Sequence, residues 1–231
     1  MKETKILQFL VDILPQTIKN LGKKRYFLSQ IRNEKFKSSE LEWSALEKWV
    51  QPGDVCIDIG ANIGRYTLKL SKIFGPQGLV IAIEPLTKSF ELLTYFINKQ
   101  KITNVSLLNV AAASECQLIS VIEDKGRPIR DYLFETNTRT HTTKLDYLGD
   151  EIKLAIKIDE FNFPFRVKLV KIDVEGNEFN VVKGMLKLIK KDYPVLIIED
   201  NDETLHTFIE NLGYKIQFFE SSSRNKIYLK K

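Results

Sequence analysis

Asp58, Gly60, Asn62 and Gly64 alternate through Asp58-Ile59-Gly60-Ala61-Asn62-Ile63-Gly64, and Glu84 follows twenty residues later. This turn of small residues lies between an apolar run and a helical pattern. Backbone N–H groups and a helix N-terminus there can hold an anionic group. A side chain at Gly60 or Gly64 would keep a ligand from closing on the backbone. Glu84 ends the run Leu79-Val80-Ile81-Ala82-Ile83, and a carboxylate at the tip of a second strand suits the two hydroxyls of a ribose. Together these residues describe a pocket for a nucleoside joined to a small charged group. Asn62 stands where a pyrophosphate-binding loop has glycine for close approach. A ligand ending in a carboxylate and an amine tolerates that side chain better than two phosphates do, so S-adenosylmethionine fits better than NAD.

Two further strand ends carry acids. Asp173, Glu175 and Glu178 follow the run at 167–172, and Glu199-Asp200-Asn201 follow the run at 194–198. The sulfonium donor is already electrophilic, so a protein using it chiefly aligns donor and acceptor and excludes water. An alcohol acceptor gains from a base or a metal. Asp173 and Glu175 are candidates for that chemistry. Glu178 also suits a first helical turn through the helix dipole. Asp173, Asp200 and Asn201 make an all-oxygen set of the kind Mg2+ prefers, although such residues after strands also cap helices. His141, in a threonine-rich stretch, is a candidate base or substrate contact, and equally a solvated loop residue.

The elements that must position these groups alternate. Ser39-x-x-Glu42 reads as a capping box opening a helix through Leu41, Leu46, Trp49 and Val50. Strands are expected at 55–58, 79–84, 105–112 and 118–123, with helices after Gly64 and over 87–100. Residues 124–150 show no usable period, which in a compact domain marks a functional or disordered segment. Strands return at 155–158, 167–172 and 194–198. One helix is expected after Gly176, with Phe179, Val182, Leu186 and Ile189 on one face, and another over 205–212. A hairpin at 214–219 and 226–229 closes the chain. Such alternation describes an α/β, doubly wound, Rossmann-like sheet with helices on both faces and its active edge at the strand C-termini.

The 231 residues allow one large domain or one domain with an appendage. Residues 1–37 hold nine Lys/Arg and three Asp/Glu, a charge of 9 − 3 = +6, leaving 26 − 27 = −1 for residues 38–231. We therefore divide the chain into a basic amphipathic N-terminal helical segment, 1–37, and a nearly neutral domain, 38–231. The segment's apolar residues recur at helical spacing from Ile6 to Leu21. It reads either as a helix packed on the domain or on a sister subunit, or as a peripheral contact with anionic lipid. Two isolated cysteines and the lack of a long apolar run place the protein in the cytoplasm.

With these residues in view, the chain resembles the FkbM-type methyltransferases among the class I S-adenosylmethionine-dependent enzymes. The resemblance rests on Asp58–Gly64, Glu84-Pro85, Ile158-Asp159-Glu160-Phe161 and, most specifically, Lys171-Ile172-Asp173-Val174-Glu175-Gly176-Asn177-Glu178. It implies a mostly parallel seven-stranded sheet with one antiparallel strand, and O-methylation of a hydroxyl on a small molecule, sugar or glycan. Asp58, Gly60, Asn62 and Gly64 would wall the methionine part of the cofactor, and Glu84 would take the ribose. Asn109, Val110 and Ala111 would lie beside the adenine, and Asp173 would face the reaction centre. A nucleic-acid methyltransferase is disfavoured, because the turn at 173–176 lacks the proline and aromatic residue on which a flipped base stacks. A cofactor-binding scaffold without catalysis is the remaining alternative.

Overall fold

Val55–Ile59 (β1) and Leu79–Ile83 (β2) run parallel, with Val55 opposite Leu79 and Ile59 opposite Ile83. The computed structural model describes residues 15–38, 40–123, 140–143, 151–199, 202–217 and 225–231. The described residues form two units, one up to residue 37 and one from 38 onward. In the first, helix α1 (Gln16–Arg32) leaves Ile18 and Leu21 half-exposed, and Phe27 meets Phe36 edge to face at 5.8 Å. The expected helical signal at 6–14 lies outside the described residues. No described helix is long and apolar enough to cross a membrane.

In the second unit a single turn, α2 (Leu41–Ser44), precedes β1, and helix α3 (Arg65–Phe74) follows it. Helix α4 (Thr87–Lys99) follows β2 and leads to β3 (Val105–Leu108). Four strands then form a separate sheet: β4 (Ala111–Ala112), β5 (Gln117–Glu123), β6 (Thr140–Thr143) and β7 (Glu151–Ile156), in the order β4-β7-β5-β6. The chain returns to the main sheet with β8 (Leu169–Ile172), helices α5 (Glu178–Lys183) and α6 (Leu186–Asp192), and β9 (Val195–Glu199). Helix α7 (Glu203–Asn211), β10 (Tyr214–Gln217) and β11 (Asn225–Lys230) complete it. The main sheet has seven strands in the order β10-β11-β9-β8-β1-β2-β3, with β11 antiparallel to both neighbours. This is the expected mostly parallel α/β sheet.

Alternation along the strands separates two cores. Ile57, Ile59, Val170, Ile172, Leu196 and Ile198 face Val181, Ile189, Leu205 and Ile209 of helices α5 to α7. The opposite face carries Cys56, Val80, Leu169 and Ile197 against Leu70 and Phe74 of α3. Continuing that second face toward the strand C-termini, the register brings up Asp58, Glu84, Lys171, Asp173 and Glu199. Apolar floor passes into charged edge within two residues of each strand.

Three expectations are revised. The run at 105–112 is two strands on different sheets, and 118–123 belongs to the second sheet. Asn109 divides the first run: its Nδ2 donates to the Glu84 and Pro85 carbonyls at 2.8 and 3.0 Å. The expected single helix after Gly176 breaks at Gly184, where a Cβ would strike the Ala113 carbonyl. Asp159 then accepts the Lys187 and Leu188 amides at 2.8 and 3.0 Å and restarts it as α6. Finally, the helix foreseen from Glu42 is one α turn followed by a 3-10 turn, Leu46–Lys48. Glu42 is fully buried, where it accepts from Asn225 of β11 and meets the Tyr66 hydroxyl of α3, and Ser39 lies outside the described residues.

Candidate active site

At the tips of β1 and β2 the acids build the loop. Asp58 is buried and accepts from the Thr67 hydroxyl and backbone N–H, which fixes the start of α3 beneath the loop. Burial pushes its carboxyl up to about 6, with Lys171 pulling the other way. Glu84 is also buried, and its two oxygens accept the Asn62 and Leu86 amides, each at 2.8 Å. Burial pushes this carboxyl up to about 7 against those two hydrogen bonds. The loop amides of Gly60 and Ala61 donate to the Ile83 carbonyl, and that of Gly64 to Ala61. With Asn62 bound to Glu84, four loop amides are spent inside the protein. The anion cradle expected from this loop is therefore largely filled by the tip of β2.

The glycines also have a different reason from the expected one. Gly60 (φ +78°) lies so close to β8 that a Cβ would strike the Asp173 carbonyl, and one on Gly64 (φ +92°) would strike Leu93. The chain itself, rather than a ligand, closes on this backbone. Asn62 holds a left-handed φ of 50°, which asparagine tolerates better than most residues.

At the tips of β8 and β9 the acids are more open. The Asp173 side chain is 30% exposed, and its Oδ2 lies 3.4 Å from the ammonium of Lys171, which is 1% exposed. Lys171 also donates to Asn225 Oδ1 at 3.1 Å and lies over the Tyr66 ring. Burial alone would lower its pKa, but Asp173, Glu40, Glu199 and Asp58 together hold it above the usual value. Behind it, Asn225 donates to Glu42, and the Tyr66 hydroxyl donates to Glu40 Oε2 at 2.7 Å and lies 3.0 Å from Glu42 Oε1. Burial and these two acids raise the Tyr66 phenol far above its ordinary range. Half-buried Glu199 is pushed up by burial and by the charge of Asp173.

Glu175 (φ 53°) and Gly176 (φ 105°) form a left-handed turn beside this edge. Glu178 folds that turn: its carboxyl accepts the Gly176 amide on both oxygens at 3.0 Å and the Val174 amide at 3.3 Å. Asn109 binds the Glu84-Pro85 carbonyls and takes the Lys153 ammonium on its Oδ1 at 2.9 Å. Its amide is thus committed to the protein, while Val110 lies in the following turn and Ala111 begins β4.

His141 is in β6, paired with Ile122, on the second sheet; its side chain lies outside the described residues. Asp200 and Asn201 also lie outside them. Among the described residues no group of three or more His, Cys, Asp or Glu side chains is arranged to hold a metal. Asp173, the described member of the expected magnesium set, faces an ammonium. A cavity of about 290 Å³ between α6 and residues 159–163 contains none of the strand-tip acids.

Sequence reasoning missed Lys171, Tyr66, Asn225 and Lys153. Lys171 had a signal: a lysine between Val170 and Ile172 in a run expected to be a central strand is buried only when paired. The others sit in ordinary amphipathic surroundings.

Residues 58–216, more than half of the chain, match the family model of the methyltransferase FkbM domain. A relative named Methyltransferase 1, from Beauveria bassiana (strain ARSEF 2860), is 25% identical over 153 residues, covering 56% of this chain and 57% of its own. The structure of a methyltransferase FkbM from Methylobacillus flagellatus KT superposes with a TM-score of 0.54 at 17% identity, over 76% of this chain and 43% of that one. A putative rRNA-methylase from Clostridium thermocellum gives 0.51 at 11% identity, over 80% and 89%. The chain thus spans little more than half of the first relative and less than half of the FkbM structure. Through the match across residues 58–216, the chain belongs to the FkbM methyltransferase family.

Proposed function

We propose that this protein transfers the methyl group of S-adenosylmethionine to a hydroxyl of a small molecule or glycan. The observation that carries the reading is Glu84. A carboxylate can accept about four hydrogen bonds, and its two loop amides leave capacity for the paired hydroxyls of a ribose. The spent amides of the β1 loop agree with it, since a diphosphate would need them. When bound, S-adenosylmethionine supplies a methyl group already activated on sulfur. The chain's residues then have modest tasks. Glu84 takes the ribose, the Asp58–Gly64 loop walls the methionine part, and Asp173 orients an acceptor hydroxyl and accepts its hydrogen bond. The turn at 173–176 offers no aromatic platform for a base.

The test is incubation with methyl-labelled S-adenosylmethionine and a panel of sugars, glycans and hydroxylated small molecules, with RNA alongside. Label in a base-stable ether on one of the first three supports the reading. Label confined to RNA, or to no acceptor while the donor still binds, overturns it.

A further inference from the structure

The second sheet reaches the tip of β2 through one cation. Lys153 and Glu151 stand two residues apart on β7, so their side chains leave the same face of that strand. The Lys153 side chain is 12% exposed. Its ammonium donates to Asn109 Oδ1 at 2.9 Å and to the Thr87 hydroxyl at 2.6 Å, and it pairs with Glu151 at 3.0 Å. Those three acceptors match the three donors of an ammonium. Each comes from a different element: Asn109 follows β3, Thr87 opens α4, and Glu151 opens β7.

Together they grip residues 84–87, the turn that begins with Glu84. Asn109 donates to both the Glu84 and Pro85 carbonyls, which requires its Nδ2 to face β2. Turned over, its Oδ1 would meet two carbonyl oxygens. The ammonium on Oδ1 selects the first orientation. At the other end of the turn, Glu151 accepts the Thr87 amide at 3.2 Å and the Thr87 hydroxyl at 2.6 Å. That pairs one of the N–H groups a first helical turn leaves without an intrahelical partner. Between these two anchors Leu86, 4% exposed, packs on Ala111, Ile119, Val121 and Ala155 of the second sheet. The Glu84 carboxyl takes one of its hydrogen bonds from the Leu86 amide inside this turn, so the direction of its oxygens follows the turn.

We propose that Lys153 is a positioning residue for the donor's ribose: through Asn109 and Thr87 it fixes the 84–87 turn, so that the Glu84 carboxylate meets the ribose hydroxyls. This rests on the donor assignment above and deepens it by naming what holds the ribose acceptor in place. Lys153 acts through Asn109 and Thr87 rather than on the donor itself. Hydrogen bonds weaken steeply as their angle departs from linear, so a turn free to tilt would keep its fold and lose its grip on the hydroxyls. The second sheet thereby gains a task. Its β7 supplies both polar side chains, and β4, β5 and β7 supply the apolar seat of Leu86.

The test needs no methyl acceptor. The full chain is titrated calorimetrically with S-adenosylhomocysteine and with its 2′-deoxy analogue, whose ribose lacks one of the two hydroxyls. Wild-type protein should hold the intact ribose about tenfold more tightly, the worth of one hydrogen bond to a charged acceptor. Lys153→Met, checked by thermal melting, should shrink that gap to about threefold or less and leave the deoxy analogue within about twofold of its wild-type affinity. Lys153→Arg keeps donors for Asn109 and Thr87 and should restore most of the gap. Should Lys153→Met fail to melt cooperatively, Asn109→Asp, which has no donor for the two carbonyls, must show the same narrowed gap. A full gap in these variants, equal weakening of both ligands, or an arginine variant no better than methionine would overturn the proposal and leave the donor assignment standing. If wild-type protein binds the thioether but ignores the missing hydroxyl, the role of Glu84 fails and the proposal with it. Absence of binding by either ligand in folded wild-type protein would sink the donor assignment itself, and with it the role of Lys153.

Discussion

The tips of β1–β2 and of β8–β9 carry acids at equivalent places on one sheet face, yet put them to different use. Asp58 and Glu84 are buried, and their oxygens are taken by a threonine and by loop amides. Asp173 is 30% exposed and shares an ammonium, and Glu199 is half-buried beside it. The first pair ties the loop to its neighbours and shapes the pocket wall; the second is the more exposed. An acidic residue at a strand end therefore carries no function by position alone. Its burial and its hydrogen-bond partners decide between building the site and acting in it.

The comparison is broken most severely at Gly60, where the two regions touch. Gly60→Ala forces a Cβ into the Asp173 carbonyl at a left-handed φ. It should cost roughly 3 kcal/mol or more of stability, read by denaturant unfolding. Next, Glu84→Ala leaves the Asn62 and Leu86 amides without their acceptor and should cost about 2–3 kcal/mol. Asp173→Asn should change stability by less than about 1 kcal/mol, since Lys171 keeps Asn225, Glu40, Glu199 and Asp58 around it. If the Asp173 variant proved the more unstable of the last two, the division of roles would be reversed.

Solution pH sharpens the same contrast. Glu84 and Asp58 titrate near 7 and 6 in the folded chain, above their ordinary values of 4.5 and 3.8. The folded state therefore binds more protons than the unfolded state between those limits, so stability falls as pH rises through them. Glu40 and Glu151 shift the opposite way, and their effect is confined to pH below about 4.5. The melting temperature should accordingly decline from pH 5.5 to 8, and Glu84→Gln should flatten that slope. An unchanged slope in the variant would contradict the burial argument.

Much of the fold was legible because parallel strands buried on both faces read as short apolar runs. Residues 55–59, 79–83, 169–172 and 195–199 are such runs, each closed by an acid or a glycine turn. The second sheet was not legible. Its β4 is two residues long and β6 is Thr140-His141-Thr142-Thr143, so neither leaves a period to detect. At the site, Asp58, Gly60, Glu84 and Asp173 were legible as strand-tip residues, but their roles were not. Nothing in a linear motif shows that Gly60 makes room for the Asp173 carbonyl, or that Asn109 is held by Glu84, Pro85 and Lys153. Those facts follow from which strand lies beside which.

The most direct measurement of the central assignment is calorimetric titration of the wild-type chain with S-adenosylhomocysteine and, separately, with NAD. A pocket lined by Glu84 and a loop whose amides are already spent predicts saturable one-to-one heat with the thioether and none with the dinucleotide. Saturable heat with NAD and none with S-adenosylhomocysteine would contradict it.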